Sequence, residues 1–146
     1  MTIWYAPLDL PALTAACAGS MPGVLGIEFV AAGDDWLRAR MPVDQRTRQP
    51  YGRLHGGASV ALAETVASVG AMATLDPARA AAVGMEINAN HLRPVGEGFV
   101  HATATCEASG RTSQVWTIRI VDDAGRLVCL ARMTAAVIPA VRGEVG

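Results

Sequence analysis

Three residues in one stretch of the chain have types and spacing that could do chemistry. Gly56 and Gly57 follow His55 at the start of an apolar run, and Glu64 lies eight residues beyond Gly56. Glu64 is the only formally charged side chain between Arg53 and Asp76. Burying an unpaired carboxylate costs several kcal/mol, and no Lys or Arg lies within two helical turns of it in sequence, so it is expected to face a cleft. If Gly56 and Gly57 open a helix, their N–H groups have no carbonyl partner within it and carry the positive end of its dipole. Such donors suit an oxyanion, and one pre-positioned donor is worth about 3 kcal/mol in acyl transfer. Ser68 falls on the same helical face as Glu64, where its hydroxyl could bond the carboxylate or hold a water beside it. A carboxylate, a hydroxyl and an amide donor fit attack on an ester or thioester, with Glu64 as general base or nucleophile. The competing readings are a His-Gly-Gly that only makes a tight turn and a Ser68 that only fills the core.

Other nucleophile settings are weaker. Ser59 lacks a G-x-S-x-G surround, and His91 and His101 have no placed partners. Cys17, Cys106 and Cys129 are odd in number, widely spaced and free of any C-x-x-C pair, which argues against a disulfide framework and a zinc site and for free thiols in a reducing cytoplasm. With 12 basic and 13 acidic residues and no basic run, the chain carries no electrostatic footprint for nucleic acid. Met1–Tyr5 does not read as a signal peptide, and Glu64 with Gly56, Gly57 and Gly70 argues against reading the apolar stretch as a membrane span.

The elements that must position these groups follow from periodicity. Pro11 marks the first turn of a short helix after Asp9 or Leu10, and Gly19 to Gly23 ends it. Val24 to Val30 has strand composition, and Leu37, Ala39 and Met41 alternate with Trp36, Arg38 and Arg40 in a second strand. Asp44 to Gly52 is a polar loop leading into the helix, the kind of segment that carries function. On that helix Ala58, Ala61, Leu62, Thr65, Val69 and Met72 recur at spacings of three and four and are expected to face a sheet. Ala81 to Arg93 is extended up to Pro94. Three further strands alternate around Val100/Ala102/Ala104/Cys106, Trp116/Ile118/Ile120 and Leu127/Cys129/Ala131/Met133/Ala135/Val137. At 146 residues, without repeat or linker, the chain is expected to form one α+β domain: a long central helix wrapped by an antiparallel sheet of five to six strands.

Geometry adds a constraint. Eight helical residues span about 12 Å and turn the two side-chain directions about 80° apart, so Gly56 and Glu64 of one chain would strain to touch one carbonyl. Gly56 of one subunit is therefore expected to face Glu64 of another. Two strand ends, Asn88 to Pro94 and Ser109 to Gln114, each set an arginine beside small or polar residues, where phosphate could be received. Taken alone, an arginine such as Arg93 or Arg111 is more often a plain solvated surface charge.

Gln49 to Glu64, together with Met41–Asp44, Gly84–His91, Gln114–Trp116 and Gly125–Leu127, resembles the hotdog-fold acyl-CoA thioesterases of the phenylacetate-pathway type along nearly the whole chain. The resemblance implies Glu64 as catalytic carboxylate, Gly56 as oxyanion donor, Gln49 and His55 as groups holding the thioester carbonyl, and Ser68 as an aid to the attacking water. It implies that Gly84, His91, Arg93, Ser109, Gly110, Arg111 and Ser113 lie along the coenzyme A arm. It further implies an acyl pocket shared between subunits, a tetramer built as a dimer of dimers, and hydrolysis of an aromatic acyl-CoA without metal or organic cofactor. Two alternatives stand beside it: release of acyl groups misloaded on an aryl carrier protein, and non-catalytic acyl-CoA binding.

Overall fold

The computed structural model describes residues 1–140. Asp9 caps α1 (Leu10–Ala16) by accepting from the Ala12 N–H at 3.0 Å, with Pro11 in the first turn as the sequence predicts. The next stretch departs from expectation, because Val24 to Ile27 is not strand. Pro22 sets a helical turn, α2 (Met21–Val24), and Gly26 at φ +75° redirects the chain, so β1 begins only at Glu28 (Glu28–Ala32). There follow β2 (Trp36–Pro42), α3 (Gly56–Ala73), β3 (Ala80–His91), β4 (Phe99–Ser109), β5 (Ser113–Asp122) and β6 (Leu127–Pro139).

The six strands form one antiparallel sheet in the order β1-β2-β4-β5-β6-β3. Strand alternation predicts its inner face well. Leu37, Ala39, Met41, Val100, Ala102, Ala104, Trp116, Ile118, Ile120, Cys129, Ala131, Met133 and Ala135 are all buried, and α3 packs against β2 to β6 over them. By composition α3 is long and apolar enough to cross a membrane; in this fold it is the helix lying on the sheet.

The face α3 buries is rotated from the predicted one. The buried residues are Ala58, Ser59, Leu62, Ala63, Val66, Ala67, Gly70 and Ala71, whereas Ala61, Thr65 and Val69 are half-buried and Met72 is exposed. Periodicity discriminates poorly here because nearly every residue of the helix is small or apolar. The contact is set by the Trp116 indole, since a Cβ on Gly70 would stand 3.0 Å from two of its ring carbons. That indole is fixed in place: its N–H donates to Gln114 Oε1 at 2.9 Å, and Gln114 Nε2 donates to Thr74 Oγ1 at 2.8 Å, just past the helix end. A buried tryptophan of this kind is worth about 3–5 kcal/mol relative to alanine.

Candidate active site

The loop from Asp44 to His55 is knitted so that it delivers the chain to the start of α3 in one way. Thr47 is buried; its hydroxyl donates to the Pro42 carbonyl at 2.7 Å, and its own carbonyl accepts from the His55 N–H at 2.8 Å. Leu54 N–H donates to Val95 O at 2.7 Å, and Gln49 N–H donates to Arg53 O at 2.7 Å. Sequence reasoning missed Thr47 because a threonine in a polar loop gives no sign that it will be enclosed.

His55 is the N-cap of α3, and its Nδ1 accepts from the Gly57 N–H at 2.8 Å. The two glycines are therefore not equivalent. Gly57 is satisfied by the cap, while Gly56 N–H has no hydrogen-bond partner among the described residues. A nitrogen that accepts carries no proton, so the cap leaves Nε2 as the donor of the His55 ring. Gln49 Oε1 accepts from the Tyr51 N–H, so both amide hydrogens of its carboxamide are available to another acceptor.

Above Gly56 lies the imidazole of His91, from the end of β3; a Cβ on Gly56 would be 2.9 Å from its Nε2. Gln49, Gly56, Ser59, His91 and Arg93 line a common cleft of about 420 Å³, with Leu54, Leu92 and Val128 among its apolar walls. With Arg53 also on its wall, it gathers an unbonded backbone donor, a carboxamide, an imidazole and two guanidinium groups. His55 is not among its lining residues.

Glu64 stands elsewhere. It is half-buried, no ion pair among the described residues includes it, and its Oε1 lies against β3 at Gly84. Ser68 Oγ approaches Met133 Sδ at 3.5 Å and not Glu64, so the bond conceived from the helical spacing is not made. Gly84 pairs with Ala135 on β6, and Ser113 pairs with the adjacent Ala136, which sets the turn bearing Ser109, Gly110 and Arg111 at the Glu64 end of the sheet. His91 pairs with Cys129 at the opposite end. Within one chain, then, Gln49, Gly56, His91 and Arg93 assemble at the C-terminal end of β3, while Glu64 lies against Gly84, seven residues back along that strand, and the Ser109–Ser113 turn leads into β5, two strands away. Among the described residues no cluster of His, Cys, Asp or Glu converges as a metal site.

A long helix laid on a six-stranded antiparallel sheet, with a carboxylate in the helix and a free amide at its start, defines a hotdog-fold thioesterase. Residues 51–129 match the model of the thioesterase superfamily, and the chain belongs to that family. It is 47% identical over 136 residues to the 1,4-dihydroxy-2-naphthoyl-CoA hydrolase of Escherichia coli K12, covering 93% of this chain and 99% of that one. It is 46% identical over 136 residues to the proofreading thioesterase EntH of Cronobacter turicensis, covering 93% and 98%. The crystal structure of a thioesterase from Haemophilus influenzae superposes with a TM-score of 0.94 at 45% identity, covering 98% of this chain and 99% of that one. The expected fold and family are borne out, and the chemistry of the chain is thioester hydrolysis.

Proposed function

We propose that this thioesterase hydrolyses an aromatic acyl-CoA, with Glu64 of one subunit and Gly56 of another completing each site. The observation that carries the reading is the separation itself: among the described residues an unpaired carboxylate lies against Gly84 and an unbonded N–H lies beneath His91, seven residues further along β3, an edge strand of the sheet. A 12-residue edge with no further strand beyond it among the described residues needs a partner, and a second copy of itself supplies one. Antiparallel pairing of two β3 strands centred between Ile87 and Asn88, in the second half of the strand, would set Gly84 opposite His91 of the second chain. Each Glu64 would then approach the Gly56 end of the other helix.

In such a site Glu64 removes a proton from water, and the oxygen attacks the thioester carbonyl carbon. The charge that develops on the carbonyl oxygen falls to the Gly56 N–H, with the Gln49 carboxamide and the His55 ring nitrogen as neighbouring donors. Collapse breaks the carbon–sulfur bond, and the proton held by Glu64 passes to the departing thiolate. Alternatively Glu64 itself attacks the carbonyl carbon, the thiolate leaves and takes a proton from solvent as a mixed anhydride forms, and water then hydrolyses the anhydride to the free acid and the Glu64 carboxylate. We assign His91 and Arg93 on one side, and Gly84, Ser109, Gly110, Arg111 and Ser113 on the other, to the coenzyme A arm, and Ser68 to the water. Two dimers forming a tetramer, and a cytoplasmic setting for three free thiols, complete the proposal. An aromatic acyl group fits the name of the Escherichia coli relative, and an acyl carrier protein as alternative carrier fits that of the Cronobacter one.

Hydrolysis of benzoyl-, phenylacetyl-, naphthoyl- and medium-chain acyl-CoA thioesters by wild type and Glu64→Ala tests this. The expected result is preference for an aromatic acyl group and a loss of about a hundredfold or more in turnover with substrate still bound. Full rate in Glu64→Ala would remove the assignment.

A further inference from the structure

Gly84 stands where β3 passes over Glu64, and nothing in its backbone calls for glycine. Its φ lies outside the left-handed region that Gly19, Gly26, Gly52, Gly98 and Gly125 occupy. Glycine in a strand weakens the strand and marks a close approach by something else. Here that something is visible. A Cβ on Gly84 would lie 2.7 Å from Glu64 Oε1, and among the described residues, its chain neighbours aside, the only other atom within 4 Å is Glu64 Cδ at 3.8 Å. The ladder to β6 also breaks at this point: Gly84 pairs with Ala135 and Glu86 with Thr134, leaving Met85 as the extra residue of a bulge. Bulges re-aim strand faces and occur next to active sites.

We infer that Gly84 is a positioning residue for the Glu64 carboxylate: the missing side chain is the space in which the carboxylate sits against β3. This rests on the reading of Glu64 as the catalytic carboxylate and gives Gly84 a role beyond lying along the coenzyme A arm. Among the described residues, its chain neighbours aside, a methyl group would meet only the far end of a flexible side chain, so alanine is expected to disturb the carboxylate and leave the fold of the chain intact. Contacts to Cβ below 3.0 Å are essentially never seen and ordinary ones begin near 3.4 Å, so Oε1 must retreat by 0.3 to 0.7 Å.

Steady-state kinetics of Gly84→Ala, alone and combined with Glu64→Asp, test the role. A misplacement near 1 Å costs about a hundredfold, so kcat should fall about tenfold with KM held within about twofold. In the Glu64→Asp background, where the carboxylate is already drawn back by one methylene, Gly84→Ala should cost less than about twofold. A raised KM at unchanged kcat, unchanged activity, or an equal loss in both backgrounds overturns the inference. If Gly84→Ala is too unstable to assay, its melting temperature decides: restoration by Glu64→Ala supports the contact, and no restoration overturns it. Full activity of Glu64→Ala alone would fell the underlying reading, whereas an inactive Glu64→Ala beside a fully active Gly84→Ala would fell only this one.

Discussion

Replacing Gly56 with proline should abolish most of the activity without destabilising the fold. Gly56 is the first residue of α3, the one helical position where proline is preferred, because the N–H it removes has no intrahelical acceptor. The preceding residue, His55, has φ −70° and ψ 132°, the extended conformation that a following proline favours. Gly56 N–H has no partner among the described residues, so no bond of the fold is lost, and stiffening the unfolded chain is worth about 0.4–1 kcal/mol in favour of the folded state. The new Cβ would meet His91, whose Nε2 would be 2.9 Å from it; that side chain is exposed and can turn away. Against this, one oxyanion donor is worth about 10²–10³ in turnover. Gly56→Ala is the control, since it adds the same Cβ and keeps the N–H. The ratio of kcat in Gly56→Ala to that in Gly56→Pro, on one aromatic acyl-CoA, isolates the amide and should reach about a hundredfold or more. Equal kcat in the two variants, both folded by thermal melting, would show that this N–H does not hold the carbonyl oxygen.

Further consequences concern the frame around the site. Asp122 closes the β5–β6 turn by accepting from the backbone N–H groups of Arg126 at 2.9 Å and Ala124 at 3.0 Å and from the Arg126 guanidinium at 2.8 Å; these bonds, the Arg126 amide foremost, hold its carboxyl below the usual carboxylate range. A lowered folded value contributes stability above the unfolded value of about 4 that is lost as pH falls through the folded one. Asp122→Asn should therefore melt below wild type at neutral pH, with the gap closing below about pH 4; a gap independent of pH would refute it. Burial pushes the Cys17, Cys106 and Cys129 thiols up, so iodoacetamide followed by mass spectrometry should label all three more slowly than free cysteine at pH 8, with the buried Cys129 slowest. Rapid labelling of Cys129 in the native protein would contradict its place in the core.

The sheet was legible in the sequence where one face is buried and the other wet. Leu37, Ala39 and Met41 against Trp36, Arg38 and Arg40 is a pattern that admits one register. The helix face was not, because a stretch containing Ala58, Ala61, Ala63, Ala67 and Ala71 is equally apolar in every direction; what chooses the face is the Trp116 ring against Gly70, a contact between residues 46 positions apart. The start of β1 is not legible in composition, because Val24 and Leu25 have strand character and Pro22 with Gly26 outweighs it. At the site, residue types and spacing gave the carboxylate and the amide. They did not separate Gly57, taken by the His55 cap, from Gly56, left free. Nor did they bring Gly84 to Glu64, which takes the packing of β3 on α3. The turn of Ser68 toward Met133 likewise depends on the sheet and not on the helical spacing that suggested a bond to Glu64.

The central claim, that each site takes its donor from one subunit and its base from another, is tested most directly by mixing. Glu64→Ala retains Gly56, and Gly56→Pro retains Glu64; a dimer of one with the other holds one intact site and one doubly broken site. Co-expressed with distinct tags and allowed to assort at random, the two inactive variants should recover about a quarter of wild-type turnover, carried entirely by the doubly tagged species. Doubly tagged dimers that form and remain as inactive as either parent would contradict the shared site.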